Sequence, residues 1–300
     1  MSDTKGFITI ATGNERYYRI ALNLLRSYRF AAKEPLPFAV LCDEENEYTA
    51  EFDDVIVLPN ATRSYLDKLE MFDYLPYDTN IFIDADCLAF NDINRLFDIF
   101  ENADDFCCYG RVLPLDDKTG WFEYDNLDGE LKNKIEYVVG LHGGIYYMRR
   151  TEKCKKVLED AKKFSENYTD YKFKGKFQTP GDEPVVALSM AYNKCRPIPH
   201  DFTSLICWWE HEDNFELNIL TQTALCKTNG VNTDIIHWGT RFTDSLPYLK
   251  QVESLKLKTA GKSDSEIKRS NRHFDRLILK RDIQKFITRV LNFIKRLLKF

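Results

Sequence analysis

The amino-acid sequence predicts an α/β protein with a mainly parallel sheet flanked by helices, followed by a helical C-terminal tail. Two observations predict the sheet: short apolar runs alternate with amphipathic segments, and several runs end in a turn or an acidic residue. A third observation predicts the tail, because residues 281–300 place apolar side chains at helical spacing with basic ones between them. Such sheets bind ligands at the carboxyl ends of their strands, so we expect functional residues there.

Composition and charge exclude several classes of protein. The chain has 300 residues, of which 44% are hydrophobic and 30% charged, enough for one large core or two domains. Its net charge of −5 excludes nucleic-acid binding through bulk charge. Its apolar runs are too short for a transmembrane helix, and the polar first residues predict no signal peptide. The eight cysteines form no Cys-x-x-Cys pair, which predicts reduced thiols in the cytoplasm and no structural zinc site.

The first predicted strand, Phe7–Ala11, is followed by a turn at Thr12-Gly13-Asn14 that begins a helix. In this helix Tyr18, Leu22 and Leu25 recur at helical spacing. Two further apolar runs predict the next strands of the sheet, Pro37–Cys42 and Asp54–Leu58.

The run Asn80–Phe90 places two carboxylates, Asp84 and Asp86, at the end of an apolar strand. Alternate side chains of a strand face the same way, so both carboxylates point to one side and repel each other unless a cation lies between them. Carboxylate oxygens suit Mg²⁺ and Mn²⁺, which commonly bridge to substrate phosphates. A helix over Arg63–Tyr74, closed by Pro76, is expected just before this strand. The alternative for the two carboxylates alone is a solvated acidic turn with no ligand.

The second half of the chain contributes a glycine-rich strand pair and a late strand that ends in histidine. Val138–Met148 is punctuated by glycines, which let a ligand approach the backbone closely. Pro180–Pro184 opens a helix, and Asp234–Gly239 is the late strand. Helices are predicted over three segments: Asn91–Phe100, Glu152–Ser165 and Val185–Tyr192.

Taken in order, four of these features resemble the nucleotide-sugar glycosyltransferases of GT-A (Rossmann-like) fold, especially family 8 and its bacterial relatives that build lipopolysaccharide or capsule. Together they span roughly residues 7–241, and their order and spacing make the set stronger than any one part. The four features are Ala11-Thr12-Gly13-Asn14, the lead-in Leu75-Pro76-Tyr77-Asp78 before Ile83-Asp84-Ala85-Asp86, the strand Gly143-Gly144-Ile145-Tyr146, and His237-x-Gly239.

The resemblance implies an Mn²⁺ (or Mg²⁺) ion held by Asp84, Asp86 and His237, bridging the diphosphate of a sugar nucleotide, with a UDP-linked donor expected. Two carboxylates and an imidazole leave coordination sites open for phosphate oxygens. The ion would neutralise the charge that builds on the departing nucleoside diphosphate. Asp84 is implied to contact the ribose as well, and with Asp182 it is our candidate for a role at the reacting centre.

Other residues of the pattern are assigned to the base, the phosphates and the sugar. Thr12 resembles the residue whose backbone meets the base, Tyr17 is a candidate to stack on uracil with Tyr18 nearly as plausible, and Asp43 is placed at the base edge. Lys68 is preferred over Arg63 for the phosphates or sugar. Asp182 resembles the acidic residue near the donor hydroxyls, although a simple helix N-cap would also explain it. Its neighbour Glu183 is left as a partner of Asp182 or a solvent-facing residue.

The chain departs from the family pattern at several positions. His142 stands where relatives often have Asn, and is expected to order the acceptor side or to pack. Arg241 stands near the place of the usual lysine after His-x-Gly and is expected to serve the diphosphate as a fork donor. For Trp208-Trp209 we weigh a core position against a sugar-stacking platform. Transfer with retention of configuration is expected from the resemblance.

The tail, residues 281–300, has one apolar helical face, and six basic residues and one acid occupy the rest. This pattern is typical of an interfacial helix on an anionic membrane, which predicts a peripheral protein on the inner face of the cell membrane. The alternative is a helix that docks on the body or on a second subunit of a homo-oligomer. We expect a break near Pro247–Lys262 between a catalytic domain, residues 1–248, and a tail, residues 249–300.

The sequence therefore predicts a metal-dependent glycosyltransferase that uses a sugar nucleotide and a glycan or lipid-linked acceptor. One rival is a nucleotidyltransferase that makes sugar nucleotides, but such enzymes usually have a basic, glycine-rich first loop. A second rival is a non-catalytic sugar- or membrane-binding protein of the same fold, which would have lost the metal-site residues.

Overall fold

The computed structural model describes residues 3–173 and 180–297, which form twelve strands and seven α-helices. The strands are β1 (Lys5–Ala11), β2 (Phe38–Cys42), β3 (Asp54–Val57), β4 (Thr79–Ile83), β5 (Cys87–Ala89), β6 (Phe106–Leu113), β7 (Val138–Arg149), β8 (Leu205–Cys207), β9 (Phe215–Asn218), β10 (Thr223–Cys226), β11 (Val231–Asn232) and β12 (Ile235–His237). The helices are α1 (Glu15–Ala31), α2 (Leu96–Ile99), α3 (Gly129–Lys132), α4 (Glu152–Glu166), α5 (Asp182–Tyr192), α6 (Leu246–Thr259) and α7 (Asp264–Leu297).

The central sheet has six strands in the order β3-β2-β1-β4-β7-β6. Its first four strands pair in parallel, and β7 and β6 are antiparallel additions. Two apolar clusters cover the two faces of this sheet, one including α1 and the other α4 and α5. The predicted α/β fold with a mainly parallel sheet is therefore confirmed.

The glycine-rich segment is one long strand, β7, so the expected strand pair is wrong. Its glycines make room for side chains of neighbouring elements and do not form a turn. A Cβ on Gly143 would lie 2.7 Å from the Glu183 side chain, and a Cβ on Gly144 would lie 2.7 Å from His142. These glycines therefore bring the strand close to residues of the functional site.

A small second sheet, in the order β5-β12-β8, carries the end of the acidic motif. Strand β5 follows Asp86 directly and pairs antiparallel with β12, so that Cys87 lies opposite His237. This pairing brings the late histidine to the two aspartates. Strands β9, β10 and β11 form a third, antiparallel sheet.

Two expected helices are shorter or tighter than predicted. The segment before β4 is a 3-10 helix, Tyr65–Tyr74, capped by the Ser64 side chain. The segment after β5 contains only a 3-10 turn, Ile93–Arg95, and the single turn of α2. Both segments are short connections held by tertiary contacts, where apolar periodicity alone does not distinguish 3-10 from α geometry.

Helix α6 occupies most of the segment Pro247–Lys262, where the sequence predicts a break, and the turn before α7 follows it. Pro247 lies in the first turn of α6, where proline needs no backbone N–H partner, and Ser245 caps the helix. The domain division at residues 248 and 249 thus falls inside α6, and α7 begins after a short turn. Within the described residues, neither helix is long and apolar enough to cross a bilayer. All eight cysteines are free and buried.

Candidate functional site

Asp84 and Asp86 lie in a tight turn between β4 and β5. The backbone N–H of Asp84 donates to Gly144 O at 3.0 Å, and the N–H of Cys87 donates to Asp84 O at 3.0 Å. These bonds hold the turn against β7 and aim both carboxylates into a pocket. Asp86 is buried and Asp84 is half-buried.

His237 joins the two carboxylates, as the sequence predicted. Its Nε2 lies 2.9 Å from Asp86 Oδ1 and 3.6 Å from Asp84 Oδ2. Thr240 donates from its hydroxyl to the other oxygen of Asp86 at 2.9 Å. Burial alone would raise the pKa of Asp86, but His237 and Thr240 outweigh it and lower that pKa. Burial would lower the pKa of His237, and Asp86 outweighs it and raises that pKa well above its usual value.

The donor set of Asp84, Asp86 and His237 fits a hard divalent cation. Two carboxylates and one imidazole are ligands that Mn²⁺ and Mg²⁺ accept, and both carboxylates converge on the same ring nitrogen. The sulfur atoms of Cys87 and Cys207 also lie within 4.8 Å of a His237 ligand atom. Burial raises the pKa of both thiols.

Lys68 forms the opposite wall of the carboxylate cluster. Its Nζ lies 2.8 Å from Asp84 Oδ1 and 3.2 Å from Asp182 Oδ2, and it donates to Gly143 O at 3.3 Å. Burial alone would lower the pKa of Lys68, but Asp182 and Asp84 outweigh it and raise that pKa. A charged lysine is therefore fixed between two predicted site residues that are 98 positions apart in the chain.

Asp182 and Glu183 begin helix α5, and neither residue is its N-cap, which is Gly181. The alternative that Asp182 acts as a helix cap is therefore wrong. Asp182 accepts a hydrogen bond from the Tyr146 hydroxyl at 2.6 Å, and Glu183 Oε1 accepts one from Gly143 N at 2.7 Å. Burial, reinforced by Asp182, raises the pKa of Glu183 to about 7. Glu183 thus faces the site and not the solvent.

Beside this cluster lies a pocket of about 160 Å³, and His237, Asp182 and Glu183 are not among the described residues that line it. Five predicted binding residues line it, namely Thr12, Tyr17, Lys68, Asp84 and Asp86. The other lining residues are Ile10, Ile20, Arg63, Ser64, Tyr65, Phe82, Ala85 and Thr240.

Two partly exposed tyrosines, Tyr17 and Tyr65, stand in the pocket wall and are 38% and 46% exposed. Tyr18 is buried, and its hydroxyl donates to Asp43. The structure therefore decides between the two tyrosines left open by the sequence, because only Tyr17 lines the pocket. Aromatic rings at a pocket wall offer flat surfaces for a nucleobase.

Asp43 and Arg241 are not among the described residues that line the pocket. Asp43 accepts hydrogen bonds from Gly13 N at 3.0 Å and Arg63 Nε at 2.8 Å, in addition to the one from Tyr18. Burial alone would raise its pKa, but these bonds lower it. Arg241 is exposed and lies over the Phe242 ring at 4.6 Å. The structure thus places Asp43 in a hydrogen-bonded support behind the pocket and Arg241 beside it.

Sequence reasoning missed three residues of the site: Tyr65, Tyr146 and Thr240. Thr240 follows His237 by three positions, and Tyr146 belongs to the glycine-rich strand, so both were close to residues already singled out. Tyr65 begins the 3-10 helix that carries Lys68, and the geometry of that helix turns both side chains to the pocket. An aromatic residue three positions before a candidate lysine was the available signal for Tyr65.

The chain was compared with protein families, curated proteins and solved structures. No family model and no curated protein matches the chain. Among solved structures, the galactosyltransferase LgtC with donor and acceptor sugar analogues matches with a TM-score of 0.49 and 11% identity, over 83% of this chain and 95% of the other. An active-site mutant of LgtC matches with a TM-score of 0.47 and 12% identity, over 78% and 87% of the two chains.

The apo form of mouse xyloside xylosyltransferase 1 matches with a TM-score of 0.45 and 13% identity, over 79% of this chain and 98% of the other. These three solved structures are glycosyltransferases.

Proposed function

We propose that the chain is a metal-dependent glycosyltransferase that moves a sugar from a UDP-linked donor to a glycan or lipid-linked acceptor. The observation that carries this proposal is the convergence of Asp84, Asp86 and His237 beside a pocket walled by two tyrosines. A sugar nucleotide combines a flat base with a doubly charged diphosphate. Its binding site therefore needs both an aromatic wall for the base and a metal site for the diphosphate.

Asp84, Asp86 and His237 would hold Mn²⁺ or Mg²⁺, which when bound neutralises charge on the leaving diphosphate. His237 Nε2 lies 2.9 Å from Asp86 and 3.6 Å from Asp84, within reach of both carboxylates that would share the ion. Thr240 holds one oxygen of Asp86 and thereby orients that carboxylate.

Tyr17 and Tyr65 would hold the base by stacking, with Thr12 beside it. Asp43 supports this side by fixing Gly13 and Arg63, and Arg241 would reach the diphosphate from the rim.

Asp182 and Lys68 would position the donor sugar. Asp182 is held by Lys68 and by the Tyr146 hydroxyl, and its carboxylate therefore has a fixed direction. A carboxylate held in this way can accept hydrogen bonds from sugar hydroxyls, and the resemblance to family 8 is our reason to propose transfer with retention. Lys68 supplies a fixed positive charge beside the acidic cluster.

The test is a panel of sugar nucleotides scored by thermal shift with Mn²⁺ on the wild type and on Asp86→Asn. The true donor should bind the wild type and raise its melting temperature, by more at higher donor concentration. Asp86→Asn should lose this shift. Asp213→Asn, which changes an exposed carboxylate away from the pocket, is the matched control and should keep it. The proposal fails if the panel gives no shift or if Asp86→Asn shifts as the wild type does. Conversion of UTP and a sugar 1-phosphate to a UDP-sugar and pyrophosphate would instead identify a nucleotidyltransferase.

The proposal extends to the tail, which we assign to an anionic membrane on the cytoplasmic side. The outer part of α7 exposes a row of apolar side chains, with Phe286 and Phe293 at 67% and 62% exposure. Lys295 and Arg296 lie in the last turn of that helix. Basic residues beside an exposed apolar face favour the headgroup region of anionic lipids. The predicted face continues to Leu298, Lys299 and Phe300, which lie outside the described residues. A second copy of the chain is the alternative occupant.

A further inference from the structure

Beside the metal-site histidine, a row of four aromatic rings leads outward over the surface; we name it the aromatic row. It consists of Trp209, His142, His200 and Phe202. The Trp209 ring lies 6.4 Å from that of His142, His142 lies 5.9 Å from His200, and His200 lies 4.7 Å from Phe202. The proposed function does not use any of these residues.

The inner end of the aromatic row contacts the proposed catalytic cluster. The edge of Trp209 meets His237 with ring centroids 4.9 Å apart, and His142 meets His237 at 5.3 Å. Gly239 has a φ of +68°, and a Cβ there would lie 3.1 Å from the Trp209 ring. The glycine thus lets the indole lie close to the backbone that follows His237. A molecule on Trp209 would be next to the metal ligands.

The outer surface of the aromatic row is open to solvent. Trp209 is 37% exposed and Phe202 is 45% exposed, whereas the neighbouring Trp208 is buried and stacks on Trp238. Of the tandem tryptophans, Trp208 therefore belongs to the core, and Trp209 has an exposed face.

Hydrogen bonds fix the two imidazoles between the exposed rings. His142 accepts from Gly144 N at 3.1 Å through Nδ1, and its Nε2 lies 2.9 Å from the sulfur of Cys207. His200 Nε2 lies 2.9 Å from Leu205 O. Side chains fixed in advance lose little conformational entropy when a ligand binds, so the aromatic row is preorganised.

We propose that the aromatic row is the acceptor subsite and that its occupant is a saccharide, an inference that rests on the proposed glycosyl transfer. A pyranose has an apolar C–H face that packs on an electron-rich ring and a polar rim that bonds to nearby side chains. The row places two imidazoles between two exposed apolar rings and has Glu210 exposed beside Trp209, which suits such a mixed surface. A lipid chain would need an unbroken apolar groove. Trp209 holds the sugar unit next to the reaction, and Phe202 holds a unit farther along.

The experiment is binding to a printed glycan array, with and without UDP and Mn²⁺, followed by titration of the best-bound glycan. Trp209→Ala should weaken binding about tenfold, and Trp209→Phe, which keeps a flat ring, should restore most of it. Phe202→Ala should weaken binding of oligosaccharides and leave monosaccharides unaffected. Phe286→Ala, an exposed ring on α7, is the matched control and should bind as the wild type does.

The inference is overturned if no glycan on the array binds, or if Trp209→Ala binds its best glycan within twofold of the wild type. Thermal shift with UDP and Mn²⁺ on the same variants separates this outcome from a failure of the proposed function. Retained UDP binding with unchanged glycan binding in Trp209→Ala refutes the acceptor subsite alone. Glycan binding that depends on Trp209, without any nucleotide binding, refutes the transferase and leaves a saccharide-binding surface.

Discussion

In the pocket, Lys68 is buried and lies 2.8 Å from Asp84 and 3.2 Å from Asp182. In the outer part of α7, Lys295 and Arg296 are exposed beside exposed apolar side chains such as Phe286. Both regions combine basic and apolar residues, but among the described residues only the pocket supplies ion-pair partners for its basic side chain. The pocket thus forms a self-contained site, whereas the tail presents a surface suited to a partner outside the chain.

This contrast has an energetic consequence. A buried charge without its partner keeps the full cost of desolvation, so removing one member of the pocket cluster should be expensive. An exposed charge is screened by water and salt, so removing a tail residue should hardly affect folding. Substitutions in the pocket should therefore affect stability, and substitutions in the tail should affect membrane binding with little effect on stability.

The largest effect is expected for Lys68→Met, which removes the cation between two carboxylates. The variant should lose about 3–5 kcal/mol of unfolding free energy, because Asp84 and Asp182 would be left without their shared partner. Urea denaturation measures the loss. Lys162→Met, which breaks an exposed pair with Glu70, is the control and should lose less than about 1 kcal/mol. A similar small loss for both variants would contradict the contrast between buried and exposed charges.

The next effect concerns the tail and should leave the pocket unchanged. Deletion of residues 286–300 removes exposed apolar and basic side chains and should weaken sedimentation with anionic vesicles about 100-fold or more. The deletion keeps Arg281 and Lys285, which pair with Asp213 on the body. UDP binding with Mn²⁺ should remain, and vesicles of neutral lipid should bind neither form. A deletion variant that still sediments with anionic vesicles would show that the tail is not the membrane contact.

A smaller effect is expected for Glu183→Gln, and it should depend on pH. The pKa of Glu183 is about 7 against an ordinary value of 4.5, so the folded protein binds this proton more tightly than the unfolded chain. Unfolding free energy is therefore lost as pH rises from about 4.5 to 7 and is constant above that range. The variant should be about 1–3 kcal/mol more stable than the wild type at pH 8, with little difference at pH 4.5.

Denaturation of the metal-free protein at a series of pH values measures this difference. Glu130→Gln, an exposed residue of an i,i+4 pair, should give a pH-independent change near zero. A stability gap between Glu183→Gln and the wild type that did not grow with pH would contradict the assigned pKa.

The smallest effect is expected where the two regions meet. Asp213 accepts hydrogen bonds from Arg281 and Lys285, both at 2.8 Å, and its side chain is 38% exposed. Asp213→Asn should therefore lower the unfolding free energy by less than about 1 kcal/mol. It should also free two cations for lipid and slightly strengthen binding to anionic vesicles. Calorimetry and vesicle sedimentation on the same samples measure both changes, and weaker vesicle binding would contradict this role.

The order of apolar and polar residues was sufficient to predict the sheet, the acidic motif and the amphipathic tail. Each of these features depends on residues that are close together in the sequence. The two aspartates after an apolar run marked the end of β4, although the structure places both in the turn that follows the strand. Helical period collects the apolar face of α7. The shapes of short connections were less predictable. The 3-10 helix at Tyr65–Tyr74 and the continuous strand β7 depend on what packs against them.

The sequence by itself determined the candidate residues, namely side chains of the types that can bind a metal ion, a nucleobase or a sugar. Only the tertiary structure decided which of them meet: pairing of β5 with β12 brings His237 to Asp86, and burial of Lys68 joins Asp84 to Asp182. It also turned Tyr17 to the pocket and Tyr18 to Asp43. The physical reason is that strand and helix periods are local properties of the chain. The pairing of buried charges depends on the topology that brings distant segments together.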